Sequence, residues 1–198
     1  MSQVKIQGNA SGTGAFTIAA PNSNTDRTLT LPDATGTIAV QGGAGVGKVL
    51  QVVSTTKTDT FSTTSSSYVD VTGFSVSITP TSATSKIYAV VTLGFCCAAG
   101  TRAAFQLVRG STAVGIGDAS GSRTTASSSG GTPSPATLES TSFSFLDSPS
   151  TTSATTYKVQ IAFIDASGTL YVNRTVNDDD AASRPRTAST ITLMEIAA

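Results

Sequence analysis

The sequence has no histidine and no tryptophan, only two cysteines, and charge on just 12% of its 198 residues. Without histidine there is no Ser-His-Asp or Cys-His nucleophile system, no zincin motif and no His-ligated metal. Twelve Lys and Arg balance twelve Asp and Glu, so no net field draws the chain to nucleic acid or to an anionic membrane. No run approaches the ~20 apolar residues of a membrane span. The start, Met1-Ser2-Gln3-Val4-Lys5-Ile6-Gln7-Gly8, lacks the apolar stretch of a signal peptide. These absences set the expectation of a chain made in a cytoplasm that is not an enzyme and uses no cofactor, metal, nucleic acid or membrane.

What is present points to strands. Ser and Thr supply 62 residues and Gly 18, a composition that favours strands and turns over helices. The length suits one domain of ordinary size with a short extra segment. Residues 1–40 carry apolar pairs at i, i+2, namely Val4/Ile6, Phe16/Ile18, Leu29/Leu31 and Ile38/Val40, separated by clusters of Gly, Pro, Asn and Asp. That is a strand-and-turn pattern, but so few large side chains cannot offset the entropy of ordering so long a segment. It needs partners, and other copies of itself are the simplest. Residues 41–48 then read as a Gly-rich hinge.

From Val49 onward the chain alternates through about ten strand candidates. The clearest are Phe74/Val76/Ile78, Ile87 to Phe95, Tyr157 to Phe163, Leu170/Val172 and Ile191/Leu193; weaker ones are Val49–Val53, Tyr68–Val71, Ala103–Val108, Ala113–Ile116 and Phe143–Leu146. With no convincing helical stripe, residues 49–198 are expected to form an antiparallel jelly-roll sandwich in an all-β chain. The stretches 117–137 and 173–187 read as surface loops.

Apparent chemical motifs do not hold up. Gly42-Gly43-Ala44-Gly45-Val46-Gly47-Lys48 satisfies the glycine and lysine spacing of a P-loop. However, Val49 stands where the magnesium-binding hydroxyl belongs, and a β-rich run follows where a helix is required. Cys96 and Cys97 are adjacent, so on a strand they face opposite sides and read as two buried free thiols. Asp178-Asp179-Asp180 matches no calcium loop. Glu occurs only at 139 and 195, and no carboxylate pair stands out for glycoside hydrolysis.

The segment from Gly14 to Ile38 is more specific. Its Ala20-Pro21-Asn22 turn, then Arg27-Thr28-Leu29-Thr30-Leu31-Pro32-Asp33, then Gly36-Thr37, resembles a segment found in bacteriophage tail fibres and related virion fibre proteins, especially of marine and cyanobacterial phages. The later chain, including Phe105–Thr112 and Ser189–Ile196, is similar to the globular end domains of such proteins and, in strand pattern, to the C1q/TNF jelly roll. The resemblance implies a homotrimer in a virion. Three N-terminal segments would form a stem, with Phe16, Ile18, Leu29, Leu31, Ile38 and Val40 meeting about a threefold axis, and three jelly rolls would form a knob.

The functional expectation is a short trimeric fibre that contributes to host-surface adhesion. Its partners would be itself, other virion proteins and a host surface glycan. The candidate receptor residues, chosen from polarity and loop placement, are Asp118, Arg123, Asn173, Arg174, Asp178 and Arg184. The alternative is a purely structural head fibre, capsid decoration or tail-collar protein without receptor binding.

Overall fold

The computed structural model describes Ser11, Thr13, residues 48–165 and residues 167–198. The stem candidates Phe16, Ile18, Leu29, Leu31, Ile38 and Val40, and all of the hinge except Lys48, lie outside the described residues.

Among the described residues there are eleven strands and no helix: β1 (Val49–Lys57), β2 (Phe61–Thr63), β3 (Val69–Ile78), β4 (Lys86–Cys96), β5 (Arg102–Arg109), β6 (Thr112–Val114), β7 (Ser128–Gly131), β8 (Glu139–Asp147), β9 (Thr155–Phe163), β10 (Leu170–Val172) and β11 (Ser189–Ile196). All pairings are antiparallel, in two sheets. In the first, β8 lies on one side of β4; β11 and then β10 lie end to end on its other side, with β1 and β2 beyond them. In the second the order is β3, β9, β5, with β6 and β7 end to end on the outer edge of β5. The chain passes back and forth between the sheets in the pattern of a jelly roll, so the all-β sandwich read from the sequence is the observed fold.

Period-two alternation builds the core directly. Rows of inward side chains cross the first sheet as Val53–Leu193–Ala89–Phe145 and Thr55–Ile191–Val91–Phe143. They face Phe105, Leu107, Tyr157, Val159 and Ile161 of the second sheet, all fully buried. Phe95 and Phe105 join the two sheets with ring centroids 4.8 Å apart and planes tilted by 58°. Each such side chain taken wholly out of water contributes about 1.5–3 kcal/mol.

Where alternation breaks, the strand bulges. Asp70 pairs with Gln160 and Ser75 with Lys158, so four residues of β3 oppose the single Val159 of β9. Gly73 lies inside this bulge with φ +75°, and the bulge lets both Val71 and Phe74 reach the core. The two candidates Tyr68–Val71 and Phe74–Ile78 are therefore one interrupted strand.

The sandwich has two distinct ends. At one end the chain enters at Lys48, whose carbonyl accepts from Ala197 N at 2.8 Å, so first and last strands meet there. That end also carries the loops 79–85, 110–111 and 148–154. The opposite end carries the loops 64–68, 97–101, 132–138 and 164–169.

Truncating the buried ring that ties the sheets, Phe105→Ala, is expected to lower unfolding free energy by about 3–5 kcal/mol. Urea denaturation of the full chain reads this out, and a loss below about 1 kcal/mol would contradict the packing described.

Candidate functional site

The loop 173–187 is a fastened structure. Asn173 takes a left-handed conformation, φ 62°, which Asn tolerates better than most residues. Its side chain is fully buried. Its amide nitrogen donates to the carbonyls of Lys57 (2.8 Å) and Asp59 (3.0 Å), and its amide oxygen accepts from Ser189 Oγ at 2.6 Å. Asn173 N donates to Gly94 O and Thr187 N donates to Asn173 O, which closes the loop base. Asn173 is thus withdrawn from solvent and joins three strand ends, where loop polarity alone had pointed to a contact residue.

Beyond this base the loop's charges pair with one another. Asp178 accepts from Arg174 at 2.9 Å and from Arg186 at 2.7 Å, and Asp179 accepts from Arg184 at 3.1 Å. Arg174 also lies over the Tyr171 ring, 4.2 Å from its centroid, a cation–π contact. Desolvation works to raise the Asp178 pKa, but the hydrogen bonds from Arg174 and Arg186 outweigh it and hold the carboxyl below its ordinary value. The Arg184 hydrogen bond does the same for Asp179. Arg174 and Asp178 thus belong to one cluster with Arg186, while Arg184 pairs separately with Asp179, so all three candidates have partners inside the loop.

The second loop is shorter than the alternation indicated. Ser128–Gly131 forms β7 on the free edge of β5, with Ala103 opposite Gly130, which leaves 115–127 as the connection. A Cβ on Gly130 would stand 2.8 Å from the tip of the Phe95 ring, so the strand runs close over the core only because it is glycine. Tyr68, on the outer face of the second sheet, donates to Thr125 O at 2.7 Å; burial pushes its pKa up to about 12. The loop so lies against that face. Asp118 and Arg123 are exposed on it, and Arg123 reaches Ser120 Oγ at 3.3 Å. No hydrogen bond or ion pair among the described residues joins either of them to the Arg–Asp pairs of the loop 173–187.

At the end where the chain enters, the inward row turns polar as Gln51–Glu195–Ile87–Asp147. Asp147 accepts from Arg109 Nη1 at 2.7 and 2.8 Å and from the buried Tyr157 hydroxyl at 2.6 Å. Burial, reinforced by this carboxylate, pushes the Tyr157 pKa far up. Glu195 accepts from Gln51 Nε2 (2.6 Å), Thr81 N (2.8 Å) and Thr81 Oγ1 (2.7 Å). Burial alone would raise its pKa, but hydrogen bonds from Gln51, Thr81 and Ser85 bring it down to about 2. A cleft of about 330 Å³ beside Arg109, Gly110, Pro149 and Thr151 opens at this end, and Arg109 is already committed to Asp147. Among the described residues, no group of three or more Cys, Asp or Glu side chains is placed to hold a metal. Both cysteines are free and buried.

The two outer faces differ. That of the second sheet is charged and cross-linked: Lys158 pairs with Asp70 at 2.8 Å, Gln160 donates to the same carboxylate and Gln106 donates to Gln160. That of the first sheet carries Ser54, Thr192, Val90 and Ser144 in one row and Thr56, Thr190, Thr92 and Ser142 in the next. Nearer the chain's entrance it carries Val52, Met194, Tyr88 and Leu146, of which Val52 is 56% and Leu146 46% exposed. Lys86 at the corner is its one charge. Alternation signalled the inward residues, and the same alternation read on the other parity marks this face.

No family model and no curated protein matches the chain. Among solved structures it is similar to infectious bursal disease virus of the Gx strain (20% identity, TM-score 0.36) and of the Gt strain (19%, 0.32), in each case over 75% of this chain. It is also similar to the VP2 subviral particle of that virus (19%, 0.30, over 74% of this chain). The alignments span 37% or 38% of those chains.

Two outcomes follow from the buried polar groups. Asn173→Ala strands buried partners and leaves a non-glycine residue at positive φ, so it is expected to cost more than about 2 kcal/mol; Arg184→Ala, which breaks a pair with the exposed Asp179, costs less than about 1 kcal/mol. Urea unfolding of both variants checks the order. Glu195 has a lowered pKa in the folded state, so its contribution is full above about pH 4.5 and is lost as pH falls toward about 2. Glu195→Gln should flatten the acid limb of stability measured across that window; an unchanged limb would contradict the assignment.

Proposed function

We propose that the chain is a structural component of a virion, a short phage fibre whose jelly roll forms the knob of a homotrimer. The observation that carries the reading is the way the jelly roll is hung. The chain enters the all-β jelly roll at Lys48, beside the final strand, where Ala197 N donates to Lys48 O. The fibre-like motif of residues 14–38 supports the same reading, since that segment holds too few large apolar side chains to order without copies of itself.

Adhesion to a host surface glycan through the loops 115–127 and 173–187 is the finer part of the proposal. Three weak sites on one trimer, repeated over a particle, add by avidity, with gains of roughly 10²–10⁴ over one site. The internal pairing of Arg174, Asp178, Arg184 and Arg186 favours the second reading, a head fibre, decoration or collar protein whose loops are built for rigidity.

Binding of the full chain to a panel of bacterial cells and their extracted surface polysaccharides separates the two. The adhesive reading expects saturable binding that falls at least about tenfold in an Arg174→Ala/Arg184→Ala variant or in an Asp118→Ala/Arg123→Ala variant. Binding unaffected by either pair contradicts the loop assignment. A folded trimer that binds nothing favours the purely structural reading.

A further inference from the structure

We infer that copies of the chain meet through the outer face of the β8–β4–β11–β1 sheet, with the row Val52, Met194, Tyr88 and Leu146 at the centre of the contact. The inference rests on the trimer reading above and names the surface that makes it.

Three observations carry it. The first is apolar exposure that is clustered. The row crosses all four strands, as Val52 opposes Met194, Met194 opposes Tyr88 and Tyr88 opposes Leu146. Leu50, extruded where β1 slips against β11 between Val49 and Gln51, extends it, itself 42% exposed. A contiguous band of this kind on a soluble domain marks a surface that is covered in use.

The second is the scarcity of charge, which on the described strands of this face is Lys86 at the corner. Of the ion pairs among the described residues, none lies on this face; they sit in the loop 173–187, at the two ends and on the opposite sheet. A face made for a different protein gains specificity by charge complementarity. In a threefold ring each copy meets its neighbour through unlike patches and only side chains at the axis meet their own kind, and a face with little charge limits both repulsion there and the desolvation of ions. Its remaining hydroxyls are partly paired within the face, Thr92 with Ser142 and Tyr88 with Ser144, each at 3.1 Å, so covering them strands fewer groups.

The third is position. The chain reaches the sandwich at Lys48–Val49, the corner that the apolar row borders, after 47 residues that would associate with their copies.

The test uses the full chain. Met194 in the row reports burial through its rate of oxidation by peroxide. The wild type is expected to have three times the 19.9 kDa mass of one chain and to oxidise Met194 slowly. A Val52→Asp/Leu146→Asp variant is expected to keep its β-sheet circular dichroism and to oxidise Met194 several-fold faster. Its mass falls to that of one chain unless residues 1–47 hold the copies by themselves. A Ser77→Asp/Thr156→Asp control, on the outer face of the other sheet, should behave as wild type. Val52→Thr/Leu146→Ser, which adds no charge, should speed oxidation by a smaller factor and guards against a misfolded double aspartate. Equal Met194 oxidation in wild type and both row variants overturns the inference. If the wild-type mass is still that of a trimer, the trimer reading stands and only the face is wrong; if it is that of one chain, both fall.

Discussion

A β-sheet has two faces, and a two-sheet sandwich covers only one of each. The inward faces here are satisfied by Phe105, Tyr157, Leu193 and their neighbours, and everything else in the domain answers the question of what becomes of the outward ones. On the second sheet the answer is local. Lys158, Asp70, Gln160 and Gln106 form a linked polar surface, and Tyr68 beside them holds the loop 115–127 through Thr125 O. On the first sheet, among the described residues, no ion pair crosses the outer face, which carries mostly hydroxyls and a row of exposed and half-buried apolar side chains. That asymmetry is the physical basis of the proposed assembly of copies.

The same constraint explains the polar residues at the edges of the core. Where the inward rows run out, Glu195 and Asp147 are buried among groups that each donate to them, so the sandwich is closed at the chain's entrance by satisfied carboxylates. On the other side of the first sheet, Asn173 gathers Lys57, Asp59 and Ser189. The loop that follows is fixed by its base and by Arg–Asp pairs, which gives it shape at the cost of leaving fewer groups unengaged for a ligand.

Much of the fold is legible in the sequence because a half-buried strand writes its burial in every second residue. Ile87 to Phe95 and Tyr157 to Phe163 show this plainly, and they became β4 and β9. Two strands were not legible. Phe61–Thr63 has one large apolar residue, too little for a period. Ser128–Gly131 has none, and it is a strand because β5 offers an open edge and Phe95 requires glycine above it. The candidate site was less legible still. Polarity and a turn-rich neighbourhood pointed to Asn173 as readily as to Asp118, yet the first is buried by partners more than a hundred residues away in the chain and the second faces water. Only long-range pairing separates them.

The central claim is that copies of this chain complete one another. The most direct measurement is the solution mass of the unmodified full chain by light scattering across a dilution series at micromolar concentration. If copies meet as proposed, the mass is three times that of one chain and persists on dilution. A well-folded single chain throughout would contradict it, and would leave the uncovered face of the first sheet without the partner argued for it.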